Sequence, residues 1–218
     1  MAFSRLRPAT LDTGEVKLHL GAYNCPVEGW INTDISRQIF LARMPLAPVL
    51  AGRIGLITQA QAADHQRGVW RKVPYLNLAR PFPFKDNTVD YVFSSHVLEH
   101  LPRPVAENFA RECYRVLKPE GVTRVAVPDL DLIVHKYDPD NPDATVQSIF
   151  ELGHRGKDRH WWMYNKRSLT DLLLSSGFTT VSVMRYREGR CPDLELLDNR
   201  PDQTLFIEAS NVGPEDPE

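Results

Sequence analysis

The stretch "SSHVLEHL", Ser94 to Leu101, contains H-x-x-E-H as His96, Glu99 and His100. On a continuous helix that spacing is a zinc-peptidase signature, because side chains four apart share one face. The surrounding residues oppose such a helix. The strand-like run "VDYVFSS" leads straight into His96, and Pro102 and Pro104 follow His100 at once. At most one helical turn fits, so no metal is assigned and a zinc hydrolase is kept only as a remote alternative. Histidine titrates near neutrality, which makes His96 the leading candidate base, with His100 and Glu99 next. The plain alternative for Glu99 and His100 is that they bond neighbouring backbone in a loop.

A second concentration of chemistry is "HRGKDRHWWMYNKR", His154 to Arg167. It gathers Arg155, Lys157, Arg159, Lys166 and Arg167 with Trp161, Trp162 and Tyr164, and it carries His160 as a fourth candidate base. Aromatic faces bind sugar rings or bases, and cations bind phosphates. The stretch is expected to form an acceptor-side lid. The alternative is a Trp pair packed into the core with the cations as a solvated rim.

The elements that must position these residues follow from periodicity. Strands are expected at Val16–Tyr23, Gly29–Ser36, Val73–Ala79 and Val89–His96, each bounded by turn formers. Val105, Phe109, Cys113 and Leu117 recur every fourth residue, which predicts a helix over Pro104–Leu117 that Pro119 and Gly121 end. A strand at Gly121–Asp129, helices at Leu130–Lys136, near Pro142–Leu152 and over Asn165–Phe178, and two closing strands complete the order. Residues Arg37 to Trp70 read as helical patches broken by prolines, an insertion or cap. Alternating strands and helices imply a largely parallel sheet covered on both faces, with the last two strands able to pair antiparallel. Ligands in such sheets sit beyond the carboxyl ends of the strands. Gly21, Asp34, Asn77 and His96 all fall on that edge.

The whole chain sets the bounds. Its 218 residues suffice for one core, with an N-terminal extension (1–15), a single domain (16–210, with 37–72 inserted) and a tail (211–218). A net charge of −2 lacks the basic field of a general nucleic-acid binder. Cys25, Cys113 and Cys191 form no C-x-x-C, so a reducing cytoplasm is expected. The most apolar stretch, Ile39–Ile57, is interrupted by Arg43, Pro45, Pro48, Gly52 and Arg53, so no membrane span is expected.

Three ordered segments, "KLHLGAYNCPVEGWINTDI", "LNLARPFPFKDNTVDYVFSSHVLEHL" and "ECYRVLKPEGVTRVAVPDLD", resemble the class I S-adenosylmethionine-dependent methyltransferases, and within them the type-11 branch. The resemblance covers residues 16 to 210. It implies an α/β, Rossmann-like, doubly wound and mostly parallel seven-stranded sheet with a C-terminal antiparallel strand. It implies S-adenosylmethionine as cofactor. It places Gly21, Ala22 and Tyr23 in the turn beside the methionine part, Asp34 on the ribose hydroxyls, Asn77 and Leu78 near the adenine, and Ser95 and His96 beside the methyl group. The family's G-x-G is here Gly21-Ala22-Tyr23, so the tyrosine side chain must leave the cofactor path or stack on it. The expected partner is a small-molecule, glycan or lipid-linked acceptor carrying a hydroxyl. Nucleic acid is disfavoured, and a homodimer is left open. A non-catalytic binding protein on the same fold is the main alternative. A dinucleotide oxidoreductase is weaker, since "GAYNCP" lacks G-x-G-x-x-G.

Overall fold

The structure is a computed structural model that describes residues 14–150 and 159–211. Residues 1–13 and 212–218, and with them most of the expected extension and tail, lie outside the described residues, as do His154, Arg155 and Lys157. The described chain runs β1 (Lys17–Leu20), β2 (Ile31–Thr33), α1 (Gln38–Leu41), α2 (Ala47–Arg53), α3 (Gln59–Gln66), β3 (Val89–Ser95), α4 (Arg103–Val116) and β4 (Leu117–Pro128). It continues through α5 (Leu130–His135), α6 (Pro142–Phe150), α7 (Lys166–Ser175), β5 (Thr180–Met184), α8 (Leu194–Leu197) and β6 (Thr204–Ser210).

One sheet takes the order β2-β1-β3-β4-β6-β5. The first four strands are parallel, with Leu18 opposite Ile31 and Val92, and Ser95 opposite Ala126. The last strand, β6, runs antiparallel to both β4 and β5. Among the described residues six strands form, where seven were expected. The segment Val73–Ala79 makes only a bridge, Asp34 to Tyr75. Two ladder bonds exist there, Asp34 N–H to Pro74 O and Leu76 N–H to Asp34 O. Then Asn77 accepts from Ala79 N–H through its side chain and from Arg80 N–H through its carbonyl, closing a turn that ends the ladder.

Side-chain alternation divides the core between the two faces of the sheet. On one face Leu18, Leu20, Val92 and Val125 pack beneath Phe109, Cys113 and Val116 of α4 and Leu169, Leu172 and Leu173 of α7. The amphipathic period read from the sequence is the stripe that α4 buries. Asn165 and Ser168 form a capping box that starts α7.

The opposite face is built differently from the expectation of helices on both sides. The β1–β2 crossover runs from Gly21 to Trp30 without a helix, whereas parallel neighbours are usually joined by a longer helical connection. Trp30 and Phe93 are covered instead by Cys191, Leu194 and Leu197 from α8 and its loop. Buried charges hold that loop. Arg124, fully buried on β4, makes two bonds to the Asp198 carboxylate (2.9 and 2.5 Å), one to Glu208 (3.1 Å), and donates to the carbonyls of Arg185 and Glu188.

The stretch between β2 and β3 contributes a small core of its own, Ile39, Ala42, Trp70 and Val73. Thr58 and Gln61 form the capping box that begins α3. This stretch meets the β1–β2 loop through Asn24 to Asp64 (2.9 Å) and the edge-on contact of Tyr23 with Trp70.

Candidate active site

The sheet order sets β2, β1, β3 and β4 side by side, so the residues just past each strand share one edge. Gly21 follows β1, Asp34 follows β2, Ser95 and His96 close β3, and Asp129 follows β4. Asn77 joins them because the Asp34–Tyr75 bridge carries its segment alongside β2.

Gly21 adopts φ +75°, and a Cβ there would lie 2.2 Å from Cγ2 of Val97. Its N–H and that of Ala22 both donate to Thr33 O at 2.9 Å, tying the turn to β2. Tyr23 also has positive φ, 43°, and its N–H donates to Asp34 Oδ2 (3.1 Å). Its ring turns to the edge of Trp70, out over the insertion. Asp34 further accepts from Ser36 N–H at 2.7 Å. Burial raises the Asp34 pKa above the ordinary value against the lowering effect of those backbone donors. Its oxygens accept from backbone N–H groups, Tyr23 on Oδ2 and Ser36 on Oδ1, and a carboxylate has lone pairs for further donors, which suits a ribose diol. Leu78 is half-buried against the main core, and the Asn77 amide is half-exposed. This donor set at the strand edges fits S-adenosylmethionine: Asp34 would hold the ribose, Asn77 and Leu78 would flank the adenine, and Gly21 to Tyr23 would flank the methionine part.

The four candidate bases come together. His96 has φ 53°, a sparsely populated conformation that histidine tolerates better than most residues. Its N–H donates to Ala126 O, which locks the turn. Its Nδ1 lies 3.2 Å from Glu99 Oε1 and its Nε2 3.3 Å from Thr204 Oγ1. In the tautomer that donates Nδ1–H to the Glu99 carboxylate, Nε2 is the acceptor nitrogen and faces Thr204. Glu99 and His100 sit on the single 3₁₀ turn Leu98–His100, in keeping with the short helical turn the prolines allow. Glu99 is 1% exposed, and its Oε2 makes no hydrogen bond. His100 Nε2 lies 4.0 Å from Glu99 Oε1, and the His100 and His160 ring centroids are 4.9 Å apart.

His96 and His160 line a cavity of about 320 Å³ between β4, α5 and α6, with Lys136 and Arg200 also on its wall. A second hollow of about 290 Å³ continues along Leu130, Phe150, Trp161 and Trp162. Trp161 and Trp162 are 51% and 44% exposed, so the pair is not core. Arg159 stacks 3.5 Å over Trp161, and Arg103 lies 5.1 Å over Trp162. The backbone N–H groups of both tryptophans donate to Glu99 O (2.6 and 3.3 Å), which stitches this segment to the 3₁₀ turn. Sequence reasoning did not find Thr204 or the hollow under α5 and α6. Thr204 begins the last strand, 108 residues from His96, and no local spacing signals that pairing.

Comparisons with known proteins bear on the family resemblance and the fold. A family model described as a methyltransferase domain matches residues 55–125. A probable S-adenosylmethionine-dependent methyltransferase of Mycobacterium tuberculosis, recorded for two strains, is 30% identical over 142 residues, 64% of this chain. Among solved structures, a methyltransferase of Thermotoga maritima, described as a possible histamine N-methyltransferase, aligns over 90% of this chain and 82% of its own, with TM-score 0.54 and 15% identity. Phosphoethanolamine N-methyltransferase 2 of Haemonchus contortus, solved with S-adenosylmethionine, aligns over 91% of this chain and 49% of its own, with TM-score 0.52 and 14% identity.

The fold is thus the class I methyltransferase fold. The partial family match and the curated relatives make the chain similar to S-adenosylmethionine-dependent methyltransferases over those stretches. The chain spans 44% of the length of the curated relatives it matches. Among the described residues no helix is long and apolar enough to cross a membrane.

Proposed function

We propose that the protein transfers the methyl group of S-adenosylmethionine to a hydroxyl of a sugar, lipid-linked or other small-molecule acceptor. The observation that carries this reading is His96, backed by buried Glu99 and opening onto a cavity on the strand edge that also carries Asp34. The bound cofactor supplies an electrophilic methyl group on a sulfonium. Methyl transfer then needs an aligned acceptor and, for a hydroxyl, a base to take its proton.

His96 Nε2 takes that proton. An acceptor hydroxyl replaces the Thr204 hydroxyl that faces Nε2 at 3.3 Å. Glu99 acts through His96: it fixes the tautomer and stabilises the imidazolium that forms, in the manner of the carboxylate in a hydrolase triad. The half-exposed tryptophans with Arg159 and Arg103 cover the acceptor's outer part. The insertion supports a lipid-linked acceptor. Met44, Leu46, Val49, Leu50, Ile54 and Leu56 are exposed, and residues 35–57 contain Arg37, Arg43 and Arg53 and no carboxylate. An apolar surface with only positive charge suits an anionic lipid interface.

The test is calorimetric titration with S-adenosylmethionine, with NAD as control ligand, followed by radiolabelled methyl transfer to glycan and lipid-linked acceptors. Micromolar binding that Asp34→Ala abolishes, with transfer that His96→Ala abolishes, is the expected result. Absence of S-adenosylmethionine binding to the wild-type protein would sink the reading.

A further inference from the structure

The second half of H-x-x-E-H meets a residue 60 positions downstream, and the three side chains together have a composition the motif alone does not. Glu99, His100 and His160 each bring one ligand-capable atom to a common point, all within 4.8 Å of one another. Each histidine is also held in the way metal-binding imidazoles are. His100 Nδ1 is 3.3 Å from Arg159 O, and His160 Nδ1 is 3.0 Å from Ile149 O. A ring whose Nδ1–H donates to a backbone carbonyl offers Nε2 as its ligand atom.

Glu99 supplies an independent observation. Its side chain is almost wholly buried, Oε1 faces His96, and Oε2 has no hydrogen-bond partner. A buried carboxylate oxygen without a donor carries its desolvation cost uncompensated unless a cation meets it. The Trp161 and Trp162 N–H bonds to Glu99 O hold the His160 segment against the 3₁₀ turn, so the cluster is positioned by backbone.

We propose that Glu99, His100 and His160 form a site for a divalent transition-metal ion, zinc first, at the rim of the acceptor cavity. Two imidazoles and one carboxylate suit zinc, and three protein ligands leave a coordination position open. Tetrahedral zinc with bonds near 2.1 Å sets its ligand atoms about 3.4 Å apart, so the cluster contracts by about an ångström on binding, within reach of small side-chain rotations. His160 lines the cavity, so the open position faces the space where an acceptor hydroxyl would sit, and a metal there would acidify that hydroxyl beside His96. His96 itself is not a ligand, which separates this site from the helical H-x-x-E-H arrangement.

The experiment is titration of metal-stripped protein with zinc chloride by calorimetry, with cobalt(II) substitution read by visible absorption. Neither readout involves methyl transfer, so its failure and the failure of the methyltransferase reading are distinguishable. The expected result is one zinc per chain with sub-micromolar affinity. His160→Ala and His100→Asn should each weaken it tenfold or more, and His96→Ala should leave it intact. Circular dichroism of each variant identifies any that fails to fold, and His160→Gln then replaces His160→Ala. No binding by the wild-type protein overturns the proposal. So does binding that survives in a folded His160 variant and disappears with His96→Ala.

Discussion

Gly21→Ala tests the reasoning about the first turn most directly. The turn resembles the cofactor's glycine-rich loop, yet the space above Gly21 is filled by Val97, whose Cγ2 would lie 2.2 Å from a new Cβ. Two costs therefore add. An L-residue at φ +75° loses about 1 kcal/mol relative to glycine. Overpacking against Val97 costs a further 1–3 kcal/mol, roughly. The sum, about 2–4 kcal/mol, corresponds to a fall in Tm of roughly 5–15 °C for a chain of this size. The steric part alone should be relieved by trimming the neighbour. Gly21→Ala, Val97→Ala and the double variant, followed by urea unfolding, form a double-mutant cycle. The double variant should recover about 1–3 kcal/mol relative to additivity, leaving the backbone cost in place. A coupling energy within about 0.5 kcal/mol of zero would refute the assignment of Gly21 to packing against Val97. The same variants titrated with S-adenosylmethionine separate lost stability from lost affinity.

Three further outcomes follow from other parts of the molecule. Burial pushes the His19 pKa down to about 4, against a raising contribution from Asn32, so the folded protein holds it neutral. Because the folded value lies below the unfolded one, its contribution is complete above about pH 6.5 and is lost as pH falls to about 4. The loss, on the order of 3 kcal/mol, should disappear from the pH dependence of urea midpoints in His19→Gln, and an unchanged profile would count against it. Asp198→Ala strands the buried Arg124 guanidinium with a single remaining carboxylate, Glu208. It should cost about 3–5 kcal/mol in thermal or urea unfolding, and a loss below about 1 kcal/mol would contradict that account. Trp161→Ala should abolish turnover while leaving cofactor affinity and Tm near wild type, since the ring is half-exposed; a large drop in Tm would return the ring to the core.

Much of this architecture is legible in the residue order because it rests on local physics. The four-residue apolar spacing of α4, the run that became α7 and the runs that became β1, β3, β4 and β6 are properties of contiguous segments. The edge that gathers Gly21, Asp34 and His96 also followed, because parallel strands must all end on the same side. The seventh strand failed because Asn77 could close a turn as readily as continue a ladder, and the choice lay with its neighbours in space. The β1–β2 loop likewise carries no local marker of what covers that face, since Leu194 and Leu197 lie more than 150 residues further along the chain.

The sequence by itself determined the class of fold, the strand edge on which the site stands and the residue types available there. Only the tertiary structure decided what those residues do to each other. His96 and Glu99 are three apart and could be paired by eye. Thr204 opposite His96, His160 beside His100 and Asp198 on Arg124 arise from β6, the segment after α6 and the α8 loop. Their proximity is set by sheet order and crossover, and a pattern in the chain cannot encode a distance between segments that meet only when the sheet has formed.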